Sequence, residues 1–507
     1  MSMSLNNASS TEHNPKRLKA SHQHTNGINN TNGIKASSST ISTRLAKALY
    51  SESAIAIIWR VAARAQGSSK PPVLYPEYTG PDGSTYVYRK LDFWTSGFFP
   101  GSLYLILERL TRYQKSSIYR SPSSPSFYDE DDGSITLPHQ LQLSHLCRWW
   151  TANLHQNALK RDTHDLGFMI GPWAMKAWDL HRDAEAYNSL VLAANSLASR
   201  FNATTRCIRS WDVCVTTRYS YTEAEVSTDF LVIIDSMLNL DLLFWAARET
   251  NNKELYDIAV AHAYTSRRHH VRDDNSTAHV VNFDAQTGER KARFTNQGYD
   301  DESCWARGQA WGILGFAQTF RWTGKSEFLD TARALAKYFI SHLPEDGVPY
   351  WDFLAPVTDE SPRDTSAVMI AACGLLVLFK ALRDTSEGEY YLREALKIVD
   401  AAVGKFMHPP TLKFQTARAP TQCEVYPEGC LAQGASDGFD VLSVVDRSGS
   451  RTHDTILDGA TINNYEFAPR RWANHGLVYA DYYFLLFGNM LQELGLVDMQ
   501  GHITVQI

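Results

Sequence analysis

The sequence predicts an all-α protein, an (α/α)6 barrel of six helical hairpins with a small β-hairpin insertion. Three observations support this fold class. Apolar residues recur at three- and four-residue spacing in twelve segments, which is the periodicity of amphipathic helices. These segments alternate between two compositions, and few stretches show the alternation typical of strands. A superhelical solenoid is the alternative all-α architecture, but the sequence contains no repeat of fixed period.

The candidate helices follow one another along the chain after residue 41. They cover residues 42–66, 96–113, 139–158, 167–181, 184–200, 228–249, 252–270, 303–322, 326–343, 364–383, 387–406 and 475–493. One β-hairpin is predicted, with strands at Ala278–Asp284 and Lys291–Phe294 on either side of Thr287-Gly288.

The helices are of two kinds. One kind is rich in Gly, Ala, Trp and Phe, as in SGFFPGSLYLIL, LGFMIGPWAM, CWARGQAWGILGFA and SAVMIAACGLLVL. The other is conventionally amphipathic, as in SEFLDTARALAKYFI and EYYLREALKIVDAAV. Because small residues let helix backbones approach closely, we expect the first kind in an inner ring and the second kind in an outer ring.

The chain divides into a tail and one large domain. In residues 1–40, Ser, Thr and Asn make up 19 of 40 positions, so too little apolar surface is available to offset the entropy cost of ordering. We expect this Ser/Thr/Asn-rich tail to be disordered and residues 41–507 to form the catalytic barrel.

Composition excludes several classes of protein. A net charge of -6 does not favour binding to the phosphates of nucleic acid. No apolar run is long enough to span a membrane, and the N-terminus has no apolar signal segment. The seven cysteines include no C-x-x-C pair, which favours a reducing, cytoplasmic location. No metal-ligand spacing or phosphate-binding glycine loop occurs, so we expect no cofactor, no metal, no nucleic acid and no membrane as partners.

Acidic residues precede many of the helices assigned to the inner ring. They are Asp92, Asp165, Asp235, Asp300-Asp301 and Asp364. Asp is a favoured N-cap residue, so capping is a sufficient explanation for any one of them. If the inner helices all begin at one mouth of a barrel, however, these carboxyl groups converge there. With 12% aromatic residues in the chain, such a cluster is typical of an acid/base site for carbohydrates.

Seven motifs in order make the sequence recognisable. They are WTSGFFPG, HDLGF, IIDSMLNLDLLFWA, DESCWARGQAWGILGFAQ, PYWDF, DTSAVMIAACGLL and GLVYADYYFLL. Together they resemble the unsaturated glucuronyl hydrolases, glycoside hydrolase family 88, over residues 85–495. The resemblance implies an (α/α)6 barrel that releases 4,5-unsaturated glucuronic acid from lyase-generated oligosaccharides. It also implies hydration of the vinyl-ether double bond rather than attack at the anomeric carbon.

The resemblance assigns roles to two carboxyl groups. Asp235 matches the general acid/base, which delivers a proton to C4 and activates water for C5. Asp165 matches the second essential carboxylate, which steadies the substrate and the shared proton. Two neighbouring carboxyl groups raise the pKa of one of them, which is how a carboxylic acid stays protonated near neutral pH.

The remaining candidate residues would bind the substrate. By resemblance, they are the sugar-stacking Trp94, Trp305 and Trp311, the polar Gln297, the arginine Arg307, the histidines His164 and His279, and the wall residue Trp211. Three of these residues have structural alternatives. Arg307 can be a buried partner of Asp300 or Asp301, His279 can belong to the hairpin, and Trp311 can belong to the core.

Two questions remain open at the sequence level. The segment 415–471, with Arg470 and Arg471, has no match in the family, so the identity and sulfation of the leaving sugar are undetermined. Two other functions also fit: an unsaturated rhamnogalacturonyl hydrolase, and a non-catalytic carbohydrate-binding barrel. HDLGF and WARGQAW favour the glucuronyl branch, and the presence of both Asp165 and Asp235 favours an enzyme.

Overall fold

The computed structural model describes residues 43–66, 69–113, 137–418, 440–447, 449, 453–498 and 501–505. The predicted tail at 1–40 therefore lies outside the described residues. Within them the fold is a closed double ring of helices. It begins with α1 (43–49) and α2 (Glu52–Ala65).

Six helices form the inner ring. They are α3 (Phe98–Arg112), α5 (Leu166–His181), α7 (Ser236–Thr250), α9 (Ala306–Thr323), α11 (Thr365–Ala381) and α13 (Val478–Glu493). Each contacts the next, and α13 contacts α3, so the ring closes. This closure confirms the barrel and excludes the open solenoid.

The outer ring consists of α2 and five helices that follow inner helices. They are α4 (Gln140–Thr151), α6 (Ala184–Ala198), α8 (Lys253–His269), α10 (Ser326–Ser341) and α12 (Ser386–Phe406). Each of these five packs against the inner helix that precedes it, and α2 packs against α3 and α4. The division by composition is confirmed, because every segment assigned to a ring lies in that ring.

Glycines allow the inner helices to approach one another closely. A Cβ at Gly167 in α5 would lie 2.7 Å from the Asn239 Cα in α7. A Cβ at Gly315 in α9 would lie 2.5 Å from the Met237 Cβ, also in α7. Real Cβ contacts are not that short, so these two positions require glycine for the observed spacing of α7 and its neighbours.

Small sheets decorate the barrel. Paired strands are β1 (Leu74–Thr79) with β2 (Tyr86–Lys90), β3 (Phe201–Asn202) with β4 (Cys207–Ile208), β5 (Cys214–Val215) with β6 (Ser220–Tyr221), and β10 (Leu412–Arg418) with β11 (Asp440–Asp446). The predicted hairpin is confirmed as β8 (Val280–Asp284) and β9 (Arg290–Phe294). Two short 3-10 helices, Leu154–Leu159 and Glu223–Glu225, complete the elements.

Two of the predicted helices are wrong in part, and a third, 139–158, is divided into α4 and the 3-10 helix Leu154–Leu159. The segment 228–249 begins as a strand, β7 (Asp229–Ile233), which pairs with β8 and makes the hairpin a three-stranded sheet. The segment 42–66 is interrupted at Tyr50 and Ser51, where Ser51 caps α2 by accepting a hydrogen bond from the Ala54 N–H. In both cases the apolar pattern continues across the boundary, and only tertiary pairing or a cap reveals the change.

Two further findings concern the cysteines and the membrane. Five cysteines in the described residues, Cys147, Cys207, Cys214, Cys304 and Cys373, are free and buried. Among the helices that the structure describes, none is both long enough and apolar enough to cross a bilayer.

Candidate active site

Three of the predicted acids lie at the N-cap positions of inner helices. Asp364 caps α11 by accepting hydrogen bonds from the Ser366 and Ala367 N–H groups. Asp165 and Asp235 occupy the same position before α5 and α7, yet neither side chain makes a capping hydrogen bond. Capping therefore explains Asp364 and leaves the carboxyl groups of Asp165 and Asp235 available for other chemistry.

The other acids that precede inner helices are placed differently. Asp92 is exposed and lies well before Gly97, the N-cap of α3. Asp301 precedes the α9 N-cap, and its side chain accepts hydrogen bonds from Tyr219 Oη and the Thr295 N–H. Asp92 is therefore not an N-cap residue, and the Asp301 carboxylate is already engaged by Tyr219 and Thr295. Their contribution to one shared site stays a prediction.

The three-stranded sheet positions Asp235 and His279 beside each other. Strand β7 ends at Ile233, which pairs with Val280 in β8, and the Ile234 N–H donates to the His279 carbonyl at 3.1 Å. Asp235 follows Ile234 directly. His279 thus lies at the start of the sheet, as the hairpin alternative required, and also next to the candidate acid.

Burial makes Asp235 a weak acid. Its side chain is nearly buried, with a relative exposure of 7%, and Oδ1 has no hydrogen-bond partner. Desolvation raises its pKa to about 7, an effect that Arg307 opposes and the charge of Asp165 reinforces. The expected general acid therefore holds its proton near neutral pH in this structure.

Asp165 is held by its own neighbours in the chain. The Thr163 hydroxyl donates to Oδ2 at 2.7 Å, and His164 Nε2 lies 3.2 Å from Oδ1. The side chain remains partly open to solvent, with 14% exposure. Asp165 can therefore face a ligand while its orientation is fixed.

Arg307 is a buried structural cation at the base of the site. Its Nη1 donates to Asp364 Oδ2 at 2.8 Å, and its Nη2 donates to the Ile462 carbonyl at 2.7 Å. The alternative that it pairs with Asp300 or Asp301 is wrong, because its carboxylate partner is Asp364.

Gln297 reaches the same backbone position as Arg307. Its Nε2 donates to the Ile462 carbonyl at 2.8 Å. The two predicted site residues thus hold one carbonyl of the segment that precedes α13. This segment belongs to the part of the chain, 415–471, for which the sequence offered no assignment.

Three of the predicted tryptophans lie around His279 and Arg307 or near the start of α3. Trp305 occupies the N-cap position of α9 and packs against the His279 ring with centroids 4.5 Å apart, while Trp211 meets the His279 ring edge-on at 6.0 Å. The Arg307 guanidinium lies 4.5 Å from the Trp305 ring centroid, a cation–π geometry. Trp94 is only partly buried.

An aromatic layer closes the site below. Phe168 contacts both Trp94, at 5.6 Å, and Trp311, at 5.1 Å. Tyr479 packs against Trp94 at 5.2 Å. Trp311 is fully buried, as its core alternative requires. It also lies near enough to Asp235 to lower that group's pKa, and its predicted role in stacking on a sugar stays a prediction.

Seven of the buried side-chain atoms that lack a hydrogen-bond partner, among the residues that the structure describes, belong to this group of residues. They are Asp235 Oδ1, His164 Nε2, His279 Nε2, Trp305 Nε1, Trp311 Nε1, Tyr479 Oη and His475 Nε2. Buried polar atoms are normally hydrogen-bonded. A site that gathers so many unsatisfied donors and acceptors is suited to a ligand rich in hydroxyl and carboxylate groups.

Tyr479 and His475 are the residues that sequence reasoning missed. Tyr479 lies within the motif GLVYADYYFLL but was not singled out there, although its ring lies 5.4 Å from the Arg307 guanidinium. His475 lies just beyond the unassigned segment 415–471, at the first position of the predicted helix 475–493, and its ring packs 5.2 Å from that of Tyr78. Arg470, inside that segment, lies 5.1 Å from the ring centroid of Trp472.

A cavity of about 1020 Å³ extends through the inner ring, from Gly167 and Leu238 near the starts of α5 and α7 to Trp178, Trp245 and Trp322 in the C-terminal parts of α5, α7 and α9. Its lining includes neither Asp165 nor Asp235. The two candidate acids therefore lie outside this cavity, at the N-cap positions of α5 and α7.

Fold and site together define a class of protein: an (α/α)6 barrel with a paired-carboxyl, tryptophan-lined mouth. The unsaturated glucuronyl hydrolase of Bacillus sp. (strain GL1) is 34% identical over 325 residues, which cover 63% of this chain and 75% of the relative. The chain belongs to the family of unsaturated glucuronyl hydrolases. No family model matches it.

Two further comparisons agree with this assignment. The unsaturated glucuronyl hydrolase of Formosa agariphila is 36% identical over 289 residues, 56% of this chain and 63% of that protein. The chain thus matches less than two thirds of that relative's length. A crystal structure of an unsaturated glucuronyl hydrolase specific for heparin matches with a TM-score of 0.65 and 27% identity, covering 90% of this chain and 99% of that one.

Proposed function

We propose that this protein is a glycosidase that releases 4,5-unsaturated glucuronic acid from the non-reducing end of lyase-generated oligosaccharides. The observation that supports this proposal most strongly is the pair formed by Asp165 and Asp235. Both occupy N-cap positions without capping, and burial raises the pKa of Asp235 to about 7.

Asp235 is the general acid and base of the proposed reaction. Its carboxyl proton is transferred to C4 of the double bond, and the positive charge that develops is shared by C5 and the ring oxygen. The resulting carboxylate then takes a proton from the water that adds to C5. Because a group with a pKa of about 7 exists in both forms at neutral pH, it suits both steps.

The C5 adduct is a hemiketal. Its collapse opens the ring to a C5 ketone and leaves a hemiacetal at C1, which releases the remaining sugar as an alcohol. No bond to the leaving sugar has to be broken by direct attack at C1. For this reason the carboxyl separation that distinguishes inverting from retaining glycosidases does not apply to Asp165 and Asp235.

Asp165 orients the substrate rather than donating the proton. Its carboxylate is fixed by Thr163 and approached by His164, so it can accept a hydrogen bond from a sugar hydroxyl. Its negative charge also helps Asp235 to keep its proton.

The substrate carboxylate would meet the positive charge at the base of the site. Arg307 is the buried cation there, and it electrostatically opposes the raised pKa of Asp235. The unpartnered Nε1 of Trp305 and Nε2 of His279 provide further hydrogen-bonding positions. The tryptophan rings supply flat surfaces for sugar faces.

A direct assay tests this function. The protein is mixed with an unsaturated glycosaminoglycan disaccharide, and the ultraviolet absorbance of the C4=C5 double bond is followed. We expect the absorbance to fall, and an identical saturated disaccharide serves as the control. Loss only with unsaturated rhamnogalacturonan fragments would replace the glucuronyl assignment, and no loss with either substrate would overturn the enzyme.

A further inference from the structure

The buried side chains of His164, Ser236 and Ser210 form a continuous row of hydrogen bonds behind the two acids. We call this row the relay. His164 Nδ1 lies 2.8 Å from Ser236 Oγ, and Ser236 Oγ lies 2.8 Å from Ser210 Oγ. All three residues are at most 1% exposed. His164 directly precedes Asp165 in the sequence, and Ser236 directly follows Asp235. The hydrogen bonds therefore link the two backbone segments that carry the carboxyl groups.

A backbone group fixes the direction of the hydrogen bonds. The Ile233 N–H donates to Ser210 Oγ at 2.9 Å. If Ser210 then donates to Ser236, and Ser236 donates to His164 Nδ1, every hydroxyl proton has an acceptor. The reverse order would leave the Ser210 proton without a partner in a buried place, which is costly.

The contact of Nε2 favours the same protonation of the His164 ring. When Nδ1 is the acceptor of a neutral ring, Nε2 carries the proton. Nε2 lies 3.2 Å from Asp165 Oδ1 and, although not aligned as a hydrogen bond, has no other partner. The opposite tautomer would place a nitrogen lone pair against a carboxylate oxygen.

The ring is neutral in this environment. Burial lowers the pKa of His164, and the positive charge of Arg200 lowers it further, while Asp165 acts in the opposite direction. His262, on α8, is a neighbouring histidine that burial also keeps neutral, since its pKa is lowered to about 3. His164 can therefore direct an N–H toward Asp165 without bringing a positive charge close to Asp235.

We propose that Ser236, supported by Ser210, is a positioning residue that fixes His164 as the Nε2–H tautomer facing Asp165. The serines touch no substrate and act through the histidine. The catalytic consequence rests on the proposed function: the ring orients Asp165 and leaves the proton with Asp235. The tautomer itself does not depend on any activity.

The first test is the tautomer in the unaltered protein. Histidines are labelled with ¹⁵N, and the His164 ring signals are identified by their absence in His164→Gln. We expect Nε2 to be protonated and Nδ1 to be unprotonated. A protonated Nδ1, or a ring that carries both protons at neutral pH, would overturn the proposal.

The second test removes the relay. In Ser236→Ala we expect His164 to become a mixture of tautomers, whereas Ser236→Thr, which keeps the hydroxyl, should restore the Nε2–H form. Ser189→Ala is the matched control, because it breaks a similar bond of 2.7 Å to His155 Nδ1 among the outer helices. Nε2–H as the sole form in Ser236→Ala would refute the role of the serine. If that variant does not fold, Ser210→Ala provides the same comparison.

Kinetics separate this proposal from the proposed function. Ser236→Ala should lower kcat about 10- to 100-fold, with KM changed less than about twofold and Ser236→Thr close to wild type. A kcat for Ser236→Ala equal to that of wild type would overturn the positioning role. If the wild-type protein turns over no unsaturated substrate, the proposed function fails, while the tautomer measurements still decide whether the relay exists.

Discussion

Arg307 Nη1 lies 2.8 Å from Asp364 Oδ2 where the inner helices α9 and α11 begin, and both side chains are shielded from water. The pair joins two neighbouring N-termini at the mouth. It also fixes the Ile462 carbonyl, to which Arg307 and Gln297 both donate. The positive charge beneath the site is therefore held by the fold before any substrate binds.

Removal of the negative partner should destabilise the protein strongly. Asp364→Asn keeps an oxygen for capping α11 but leaves the Arg307 charge buried without a counter-charge, which costs about 3–5 kcal/mol. The measurement is the free energy of unfolding in urea. The exposed pair Lys253–Asp257 supplies the control, because Lys253→Ala should cost less than about 1 kcal/mol. Equal effects of the two substitutions would contradict the structural role of the buried pair.

The contact between α5 and α7 should control the geometry of the acids. Gly167→Ala would bring a Cβ within 2.6 Å of Asn239 Oδ1 and force the two helices apart. Since a displacement of about 1 Å costs on the order of 100-fold in rate, kcat should fall by about that factor. Activity assays with the unsaturated disaccharide measure it.

Gly171→Ala is the matched control for this prediction. It lies one helical turn along α5, where a new Cβ meets only the Met175 Cε at 3.8 Å. We expect normal kcat and a stability equal to or slightly above that of wild type, because Ala favours helix over Gly. Wild-type kcat in Gly167→Ala would show that the spacing of α5 and α7 does not set the rate.

The raised pKa of Asp235 makes stability depend on pH. The folded protein holds this proton up to about pH 7, whereas the unfolded chain releases it near 3.8. The stabilising effect of the proton is therefore complete below pH 3.8 and is lost as the pH rises through 7. The difference in pKa corresponds to at most about 4 kcal/mol.

Asp235→Asn isolates this effect. Because the amide does not ionise, the variant should gain stability relative to wild type as the pH is raised from 4 to 8. Asp481 is a second buried carboxyl group whose pKa is raised to about 7. Because it is present in both proteins, its contribution to the pH dependence of stability cancels in the comparison. Urea unfolding of both proteins across this pH range measures the difference. A stability difference that does not change with pH would mean that Asp235 is ionised throughout.

Much of the fold could be predicted because the residue composition of each helix indicates whether it belongs to the inner or the outer ring. Inner helices need small residues at contacts such as Gly167 and Gly315, and those residues are visible in the sequence. Strand β7 could not be predicted in the same way. Its run DFLVI is apolar at four of five positions, and a fully buried strand has no alternation that distinguishes it from a helix. Only its pairing with the later strand β8 decides the matter.

The sequence named candidate site residues but not their contacts. The motifs indicated Asp165, Asp235 and Arg307, but the sequence could not show which N-cap acid would cap its helix. Nor could it name the partner of Arg307, because that depends on which N-termini become neighbours in the ring. Tyr479 was missed because a tyrosine in an apolar helix has no pattern that separates a core residue from one whose hydroxyl faces a site.

Asp235→Asn should lower kcat strongly without preventing folding. Loss of a general acid costs about 100- to 10,000-fold in rate, so kcat should fall in that range while KM changes little. Asp92→Asn is the control, because Asp92 also precedes an inner helix but is exposed. The unsaturated disaccharide assay measures both. Near-wild-type kcat in Asp235→Asn would remove Asp235 from the mechanism.

In the proposed reaction, water adds to the C4=C5 double bond, and the leaving sugar is not displaced by attack at C1. Turnover of an unsaturated disaccharide in deuterated water, with the product analysed by NMR, tests it most directly. We expect one deuterium at C4 in a single configuration, beyond any exchange seen when the product alone is kept in the same solvent. A released uronic acid that retains its C4=C5 double bond and carries no deuterium at C4 would contradict it.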